Sequence, residues 1–452
     1  MAKKGSPHEL GSKGVGNLLL QYSIPAITAT AVASLYNIID RIFIGHGVGP
    51  MAISGLALTF PLMNITAAFG AMVGVGASAM VSIRLGQHDK KDATHILGNA
   101  VMLNIIMGIA IAAISLIFLK PILFALGASN DTLPYAKEFM QVILLGNVFA
   151  HLYLGLNNIM RASGYPNKAM YTTLITVAVN LILAPIFIFV FKWGIRGAAL
   201  ATVIAQLTGT ISVVLHFTKN KSFVHFLPGY MKLKWRIIKD IVSIGMSNFF
   251  MLICGSIVIS LFNLSLRRYG GDLAIGAFGI VSSIANLAAM IIIGFNQGMQ
   301  PIVGYNFGAQ KIHRAIRAFK LTIFAATCVT TFIFIVAELL PSFISKAFTA
   351  NNELIELAVT GLRLHLILFP IVGFQIVTSS FFQSIGKAKI SIFLSLTRQV
   401  IFLIPALFIL PVFWGLSGVW LCGPVADLSA SLLTFFVLQW QLRKLKHSGF
   451  VQ

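Results

Sequence analysis

The chain has twelve acidic residues against 33 basic ones in 452 residues, so each carboxylate can be placed in turn. Ten of the acids fall in tails, loops or the ends of apolar runs, where solvation, capping or interfacial pairing explains them. Asp40 and Asp427 lie inside apolar runs instead. Asp40 closes the segment Tyr36-Asn37-Ile38-Ile39-Asp40. Tyr36 and Asn37 precede it by four and three residues, so on a helix all three share a face. A carboxylate at membrane depth is costly unless it faces a cavity or a partner. Such a face can hold a proton or coordinate a cation through oxygens, transiently Na⁺. The competing reading pairs Asp40 with Arg41 at an interface, but adjacent helical residues do not face each other.

Asp427 follows Gly423-Pro424 and is expected to hold Arg398 or the backbone freed around Pro424, with a second protonatable site as the alternative. Asn180, Thr202 and Gln206 are neutral polar residues inside apolar runs. Thr202 and Gln206 share a face. Such groups glue helices together or serve as neutral partners to Asp40. Gln300 and Asn296 are further candidates for a polar cavity. No histidine pairs with Cys or acids at metal spacing, and there is no phosphate-binding loop or nucleophile elbow. No metal, cofactor or enzymatic step is expected, and the coupling ion would be H⁺ or Na⁺.

These residues are carried by apolar runs. Hydrophobic residues make up 57% of the chain and charged residues only 10%, with a mean hydropathy of +0.89. A soluble domain carries about 25% charged residues. The chain is therefore a polytopic membrane protein. Ordinary soluble, disordered and nucleic-acid-binding classes are excluded. Twelve runs are long enough for the about 20 residues a spanning helix needs. They are centred on 17–43, 53–83, 94–119, 136–160, 168–191, 195–217, 239–266, 273–304, 314–337, 354–384, 390–413 and 416–440. The first is too long for a cleaved signal, and continuous rather than alternating apolarity excludes a β-barrel. Cys254, Cys328 and Cys422 lie far apart within runs and read as small packing residues.

The formal net charge of +21 follows a topological pattern. With twelve spans, 23 of the 33 basic residues fall on the side of the termini, Arg161 and Lys168 among them, and seven on the other. Arg41, Arg363 and Arg398 sit in or at the ends of spans. The excess predicts cytoplasmic termini, with no anionic partner required.

An internal repeat divides the chain. Gly76 matches Gly298, Gly86 matches Gly308, Ala93 matches Ala315 and Gly164 matches Gly386, each pair 222 residues apart. Trp193-Gly194 matches Trp414-Gly415 at 221. The expected organisation is an N-terminal lobe at 1–217, a cytoplasmic linker at 218–238 and a C-terminal lobe at 239–452. Six spans per unit give both lobes one orientation, with the cavity between them. That cavity is expected to draw its lining from the 36 phenylalanines and 15 methionines, which adapt to unlike shapes.

The run Asn296-Gln-Gly-Met-Gln300-Pro301-Ile-Val-Gly304-Tyr305-Asn306-Phe307-Gly308, the segment Gly197-Ala-Ala-Leu-Ala-Thr202, Asp40, Arg398-Gln399 and Pro424-Val-Ala-Asp427 resemble the multidrug and toxic compound extrusion (MATE) transporters. The likeness covers nearly the whole chain and is closest to the MepA-type members of the bacterial DinF-like branch. It implies two pseudo-symmetric six-helix bundles in a V. It also implies export of amphipathic, mostly cationic compounds in exchange for H⁺ or Na⁺. The family's coupling site in the N-terminal lobe maps onto Asp40, Asn180 and Thr202. One position departs: where the family reads Asn-x-x-x-Asp-Pro, this chain reads Asn180-Leu-Ile-Leu-Ala184-Pro185, so Ala184 replaces a second carboxylate.

The expectation is thus an ion-coupled multidrug exporter in a bacterial inner membrane, a monomer whose partners are the bilayer and small amphipathic cations. The rival is a lipid-linked saccharide flippase of the same superfamily. It would place several basic residues in the cavity, whereas only Arg363 and Arg398 read as lying at membrane depth.

Overall fold

The computed structural model describes residues 8–218 and 222–447. The basic residues Lys3, Lys4, Lys219 and Lys221 lie outside the described residues.

Among the described residues the chain is helical throughout. A short α1 (His8–Ser12) leads into α2 (Val15–Gly47), α3 (Pro50–Gly86), α4 (Lys90–Ile117) and the brief α5 (Leu119–Ala125). Then come α6 (Leu133–Leu145), α7 (Asn147–Ala162), α8 (Pro166–Pro185) and α9 (Gly194–Thr218). After the connection follow α10 (Trp235–Gly308), α11 (Ile312–Leu339), α12 (Pro341–Phe348), α13 (Asn352–Leu366), α14 (Phe369–Ser384), α15 (Ala388–Leu396) and α16 (Ile404–His447).

Two of these helices are hairpins. In α10, Gly271 leaves the helical region at φ 71°, ψ −169°, and the chain reverses so that Phe262 and Phe278 stack with centroids 4.9 Å apart. Sixteen residues of straight helix would separate them by about 24 Å. In α16 the break is Gly415, at φ 54°, ψ −133°, and Gly418 packs back against the Leu410 carbonyl. Only glycine reaches such a reversal without steric cost. The α6–α7 and α13–α14 pairs each form one broken crossing, bent by 56° and 52°. With both hairpins counted twice, the described residues make the twelve crossings expected.

Prolines mark the distortions unevenly. A π-helical turn at Ile186–Val190 follows Pro185, and another at Thr397–Leu403 precedes Pro405. α2 runs on through Pro25. The 56° bend falls at Gly146, where there is no proline, and a Cβ there would meet Val203.

The apolar cores show how the bundles meet. One cluster, from Ile44 to Ala201, lies entirely within α2–α9. A second, from Val258 to Ala426, lies entirely within α10–α16. The third joins both, with Leu10, Leu85 and Phe217 packed with Ile241, Tyr305, Phe382 and Leu438. It occupies the end carrying α1 and the connection between α9 and α10. The bundles are therefore fused at the end of the termini and separate towards the other. Exposed Ile109, Ile117, Phe324, Phe332 and Phe436 face outwards, as lipid-facing helices require.

Candidate functional site

The N-terminal polar cluster is assembled by α2, α8 and α9. Asn180 Nδ2 donates to Tyr36 Oη at 3.1 Å and to Thr202 Oγ1 at 3.0 Å. Tyr36 Oη and Thr202 Oγ1 lie 3.3 Å apart, and Thr202 also donates to the Ala198 carbonyl, one turn back. Asp40 stands one turn beyond Tyr36 and is 8% exposed. Asp40 Oδ1, Asn180 Oδ1 and Gln206 Oε1 are buried and have no hydrogen-bond partner. Partnerless buried oxygens are expensive. A proton or a small hard cation would satisfy them.

Arg41 and Asp40 form no close ion pair among the described residues. The Arg41 guanidinium lies over the Phe60 ring, 4.4 Å from the centroid. Asn37 departs from expectation. It is exposed and its amide bonds to Ala33 O at 2.9 Å. Three residues before Asp40 is 60° round the helix, enough to carry this side chain out of the cleft. Ala184 is wholly buried, in the same apolar cluster as Ala198 and Ala201.

A second site lies between the bundles: a cavity of about 500 Å³ with walls from α2, α3, α7 and α8 on one side and α10, α14 and the Thr397–Leu403 turn on the other. Asn296, Gln300 and Arg398 are among the residues that line it. Gln300 donates to Val75 O across the two bundles at 3.3 Å. Arg398 Nε meets Asp427 Oδ1 at 2.5 Å, so the last acid is a structural partner set behind the wall. Gln206, one turn beyond Thr202 on α9, is not part of this wall.

Two expectations about the cavity are corrected. It is not built of phenylalanine and methionine: Met251 alone of those types lines it, among Asn, Gln and Ser side chains. The phenylalanine rings fill the dry cores and the lipid face, where their apolar area is removed from water, and the cleft is lined by amides and hydroxyls set among Ala, Val, Leu and Ile side chains. The second correction is Arg161. Placed by charge counting in a terminal-side loop, it is instead 6% exposed on α7 and lines the cavity. The crossing is bent by 56° at Gly146, and Asn157, Asn158 and Arg161 of the last turns of α7 line the cavity. The pattern Asn157-Asn158-x-x-Arg161 inside an apolar run was the signal. Likewise Gln375, Ser379 and Gln383, spaced by four, form a polar stripe on α14 facing the same space.

Much of the C-terminal wall is internally satisfied. Ser247 and Ser395 lie 2.8 Å apart, Ser379 and Ser395 2.7 Å, and Gln383 donates to Ile244 O at 3.0 Å. Asn296 Oδ1, Gln297 Oε1 and Gln399 Oε1 have no partner.

Two six-crossing bundles with a cavity between them match one family model twice, at residues 25–186 and 244–409. The chain belongs to the MatE family. It is a membrane transporter and not an enzyme. Among curated relatives, this MatE chain is 26% identical over 420 residues to the multidrug export protein MepA of Staphylococcus haemolyticus strain JCSC1435, covering 93% of this chain and 92% of that one. It is 28% identical over 401 residues to MepA of Staphylococcus aureus strain MSSA476, covering 89% and 88%. Its fold superposes on an outward-facing multidrug resistance MATE family transporter of the MOP superfamily with a TM-score of 0.92 at 24% identity, over 99% of both chains. The TM-score is 0.93, again at 24% identity and 99% coverage of both chains, for a MATE crystallised in a bent conformation.

Proposed function

We propose that this chain is a secondary active multidrug exporter. It moves amphipathic small molecules out of a bacterial cell by alternating access, in exchange for inward H⁺ or Na⁺. The observation that carries this reading is the separation of two polar sites joined by one helix. α2 lines the central cavity through Ala29, Thr30 and Ala33 and carries Tyr36 and Asp40 into the N-terminal cluster.

Loading Asp40 with a proton or Na⁺ satisfies its partnerless oxygen and removes the demand that the cluster be hydrated. Unloading restores that demand. The difference falls on α2, α8 and α9 and so on the wall of the cavity. An ion can shift the conformational equilibrium only by its differential affinity for the two states, and a buried carboxylate with a partnerless oxygen supplies such a difference.

The excess of basic residues beside the termini supports a cytoplasmic end for the fused core. The cavity then opens outwards, the state in which drug leaves and ion enters. The protein works as a monomer in the bacterial inner membrane. Ionised Asp40 favours cations in the N-terminal bundle, whereas the central cavity shows no carboxylate on its wall among the described residues, so the charge carried by the exported molecule is set by the central cavity. The test is export of ethidium from proteoliposomes under an imposed proton or sodium gradient. Accelerated export with either gradient is expected. Equal rates with and without both gradients would remove the antiport reading.

A further inference from the structure

Arg161 carries a charge that the coupling scheme does not use. Its side chain is 6% exposed and it takes part in none of the ion pairs among the described residues. Its two hydrogen bonds go to neutral amides of its own helix, Asn158 Oδ1 and Asn157 Oδ1, both at 3.3 Å. A guanidinium has five N–H donors in a planar fork that matches a carboxylate, sulfonate or phosphate. Two long contacts leave most of that fork unused.

The surroundings limit what else could satisfy it. Arg161 lines the central cavity, and the only other charged residue of that wall is Arg398, which is held by Asp427. An intramembrane ionisable group without a protein partner marks a substrate or ion pathway. On the C-terminal wall, Asn296, Gln297 and Gln399 each leave a carbonyl oxygen unpartnered, so they can accept N–H donors. The wall of the cavity thus carries a guanidinium from α7 of one bundle and amide groups from α10 and the Thr397–Leu403 turn of the other, with Ala29, Ala71 and Ile293 also lining it.

We propose that Arg161 is the seat for an oxyanion, a carboxylate, sulfonate or phosphate group carried by the amphipathic molecules that enter the central cavity, whose N–H donors turn to the amides of the other bundle. The inference deepens the export reading and rests on it for the word substrate. The seat itself rests on the cavity alone. The compounds favoured are zwitterions and amphipathic anions. A permanent cation with no acidic group would meet an uncompensated guanidinium.

The test uses two fluorescent probes of the same apolar body, 1-pyrenebutyrate and 1-pyrenebutyl-trimethylammonium, with the purified full-length protein. The parent is expected to bind pyrenebutyrate at least tenfold more tightly than the ammonium. Arg161→Gln should lose at least tenfold in pyrenebutyrate affinity and bind the ammonium equally or better, and Arg161→Lys should fall between. A parent that prefers the ammonium, or an Arg161→Gln protein with unchanged pyrenebutyrate affinity, overturns the proposal. If Arg161→Gln does not fold, the preference of the parent between the two probes decides by itself. Displacement of pyrenebutyrate by phosphatidylglycerol vesicles but not by phosphatidylcholine vesicles would assign the seat to a lipid headgroup phosphate. Displacement by neither would assign it to soluble amphiphiles. Arg161-dependent binding with no gradient-driven movement of pyrenebutyrate or ethidium would leave the seat standing and remove the export reading.

Discussion

Gly86 and Gly308, equivalent positions 222 residues apart, each rest on the backbone of the other's helix. A Cβ on Gly86 would collide with the Tyr305 carbonyl, and one on Gly308 with the Ile83 carbonyl. Ile83 and Tyr305 are themselves 222 apart, so the two contacts are related by the internal repeat. Gly76 and Gly298 act alike, packed on Ile241 and on Ser23. The lobes are closed on one side by backbone meeting backbone.

Such contacts cannot be relieved by rotating a side chain. Gly308→Ala should therefore weaken closure of the terminal side by about 1–3 kcal/mol, the usual cost of overpacking, and move the population towards the opposite opening. Spin labels at exposed Gln87 and Gln310 would read it as a longer distance fraction, raised roughly tenfold for each 1.4 kcal/mol. An unchanged distance distribution would show that the helices absorb the methyl group locally.

Asp40→Asn should abolish gradient-driven export while the protein remains folded, because the amide is nearly isosteric and cannot cycle a charge. Tyr36→Phe, which removes the hydroxyl that Asn180 and Thr202 share, should slow coupled export several-fold without abolishing it. Export of ethidium in proteoliposomes, with melting curves for both variants, checks both statements. Parent-like export by Asp40→Asn would place the coupling group elsewhere.

The fold was largely readable because twelve apolar runs and a constant repeat are properties of the chain itself. The N-terminal polar cluster was readable in part. Asp40, Tyr36, Asn180 and Thr202 advertise themselves as polar residues in apolar helices, but Asn37 shows that spacing alone cannot fix a side chain that can bond back to its own helix. The cavity was the least readable. Arg161 lies near the end of a run, where counting charges treats it as loop, and only the packing of α7 against the cavity reveals that its side chain lines that space. Unlike Asp40, it is one of 33 basic residues rather than one of twelve acids, so its type alone carried little information.

Ala184→Asp should raise ethidium export under a proton gradient at least twofold. Position 184 is one turn beyond Asn180, and a second carboxylate near the first makes one of the pair hold its proton more tightly. The site is wholly enclosed, so a lower melting temperature should accompany the gain. Equal export by the two proteins would show that one carboxylate suffices.

The ion pair between Arg398 and Asp427 should be the more costly to break from one side. Arg398→Leu leaves a nearly buried carboxylate unpaired and should destabilise the protein by about 2–4 kcal/mol, somewhat below the value for a fully buried pair because the arginine is a quarter exposed. Arg398→Leu with Asp427→Leu should recover most of that loss. Thermal unfolding of the two variants in detergent reads the difference. Equal destabilisation would show that the pair contributes through its own attraction.

The contacts of α1 set an order on biosynthesis. Leu10 O accepts from Asn306 Nδ2 at 2.9 Å and from Arg314 at 3.3 Å, and Gly11 O accepts from Lys311 Nζ at 2.9 Å. Leu10 and Asn306 are separated by 296 residues of chain. At about 5–20 residues per second, Leu10 leaves the ribosome roughly 15–60 s before the residue that secures it. Through that interval the first bundle can enter the bilayer with the end that carries α1 unlatched. The latch closes only after the eighth crossing has been made, so a nascent chain stalled earlier lacks the fastening that holds the finished transporter shut on this side.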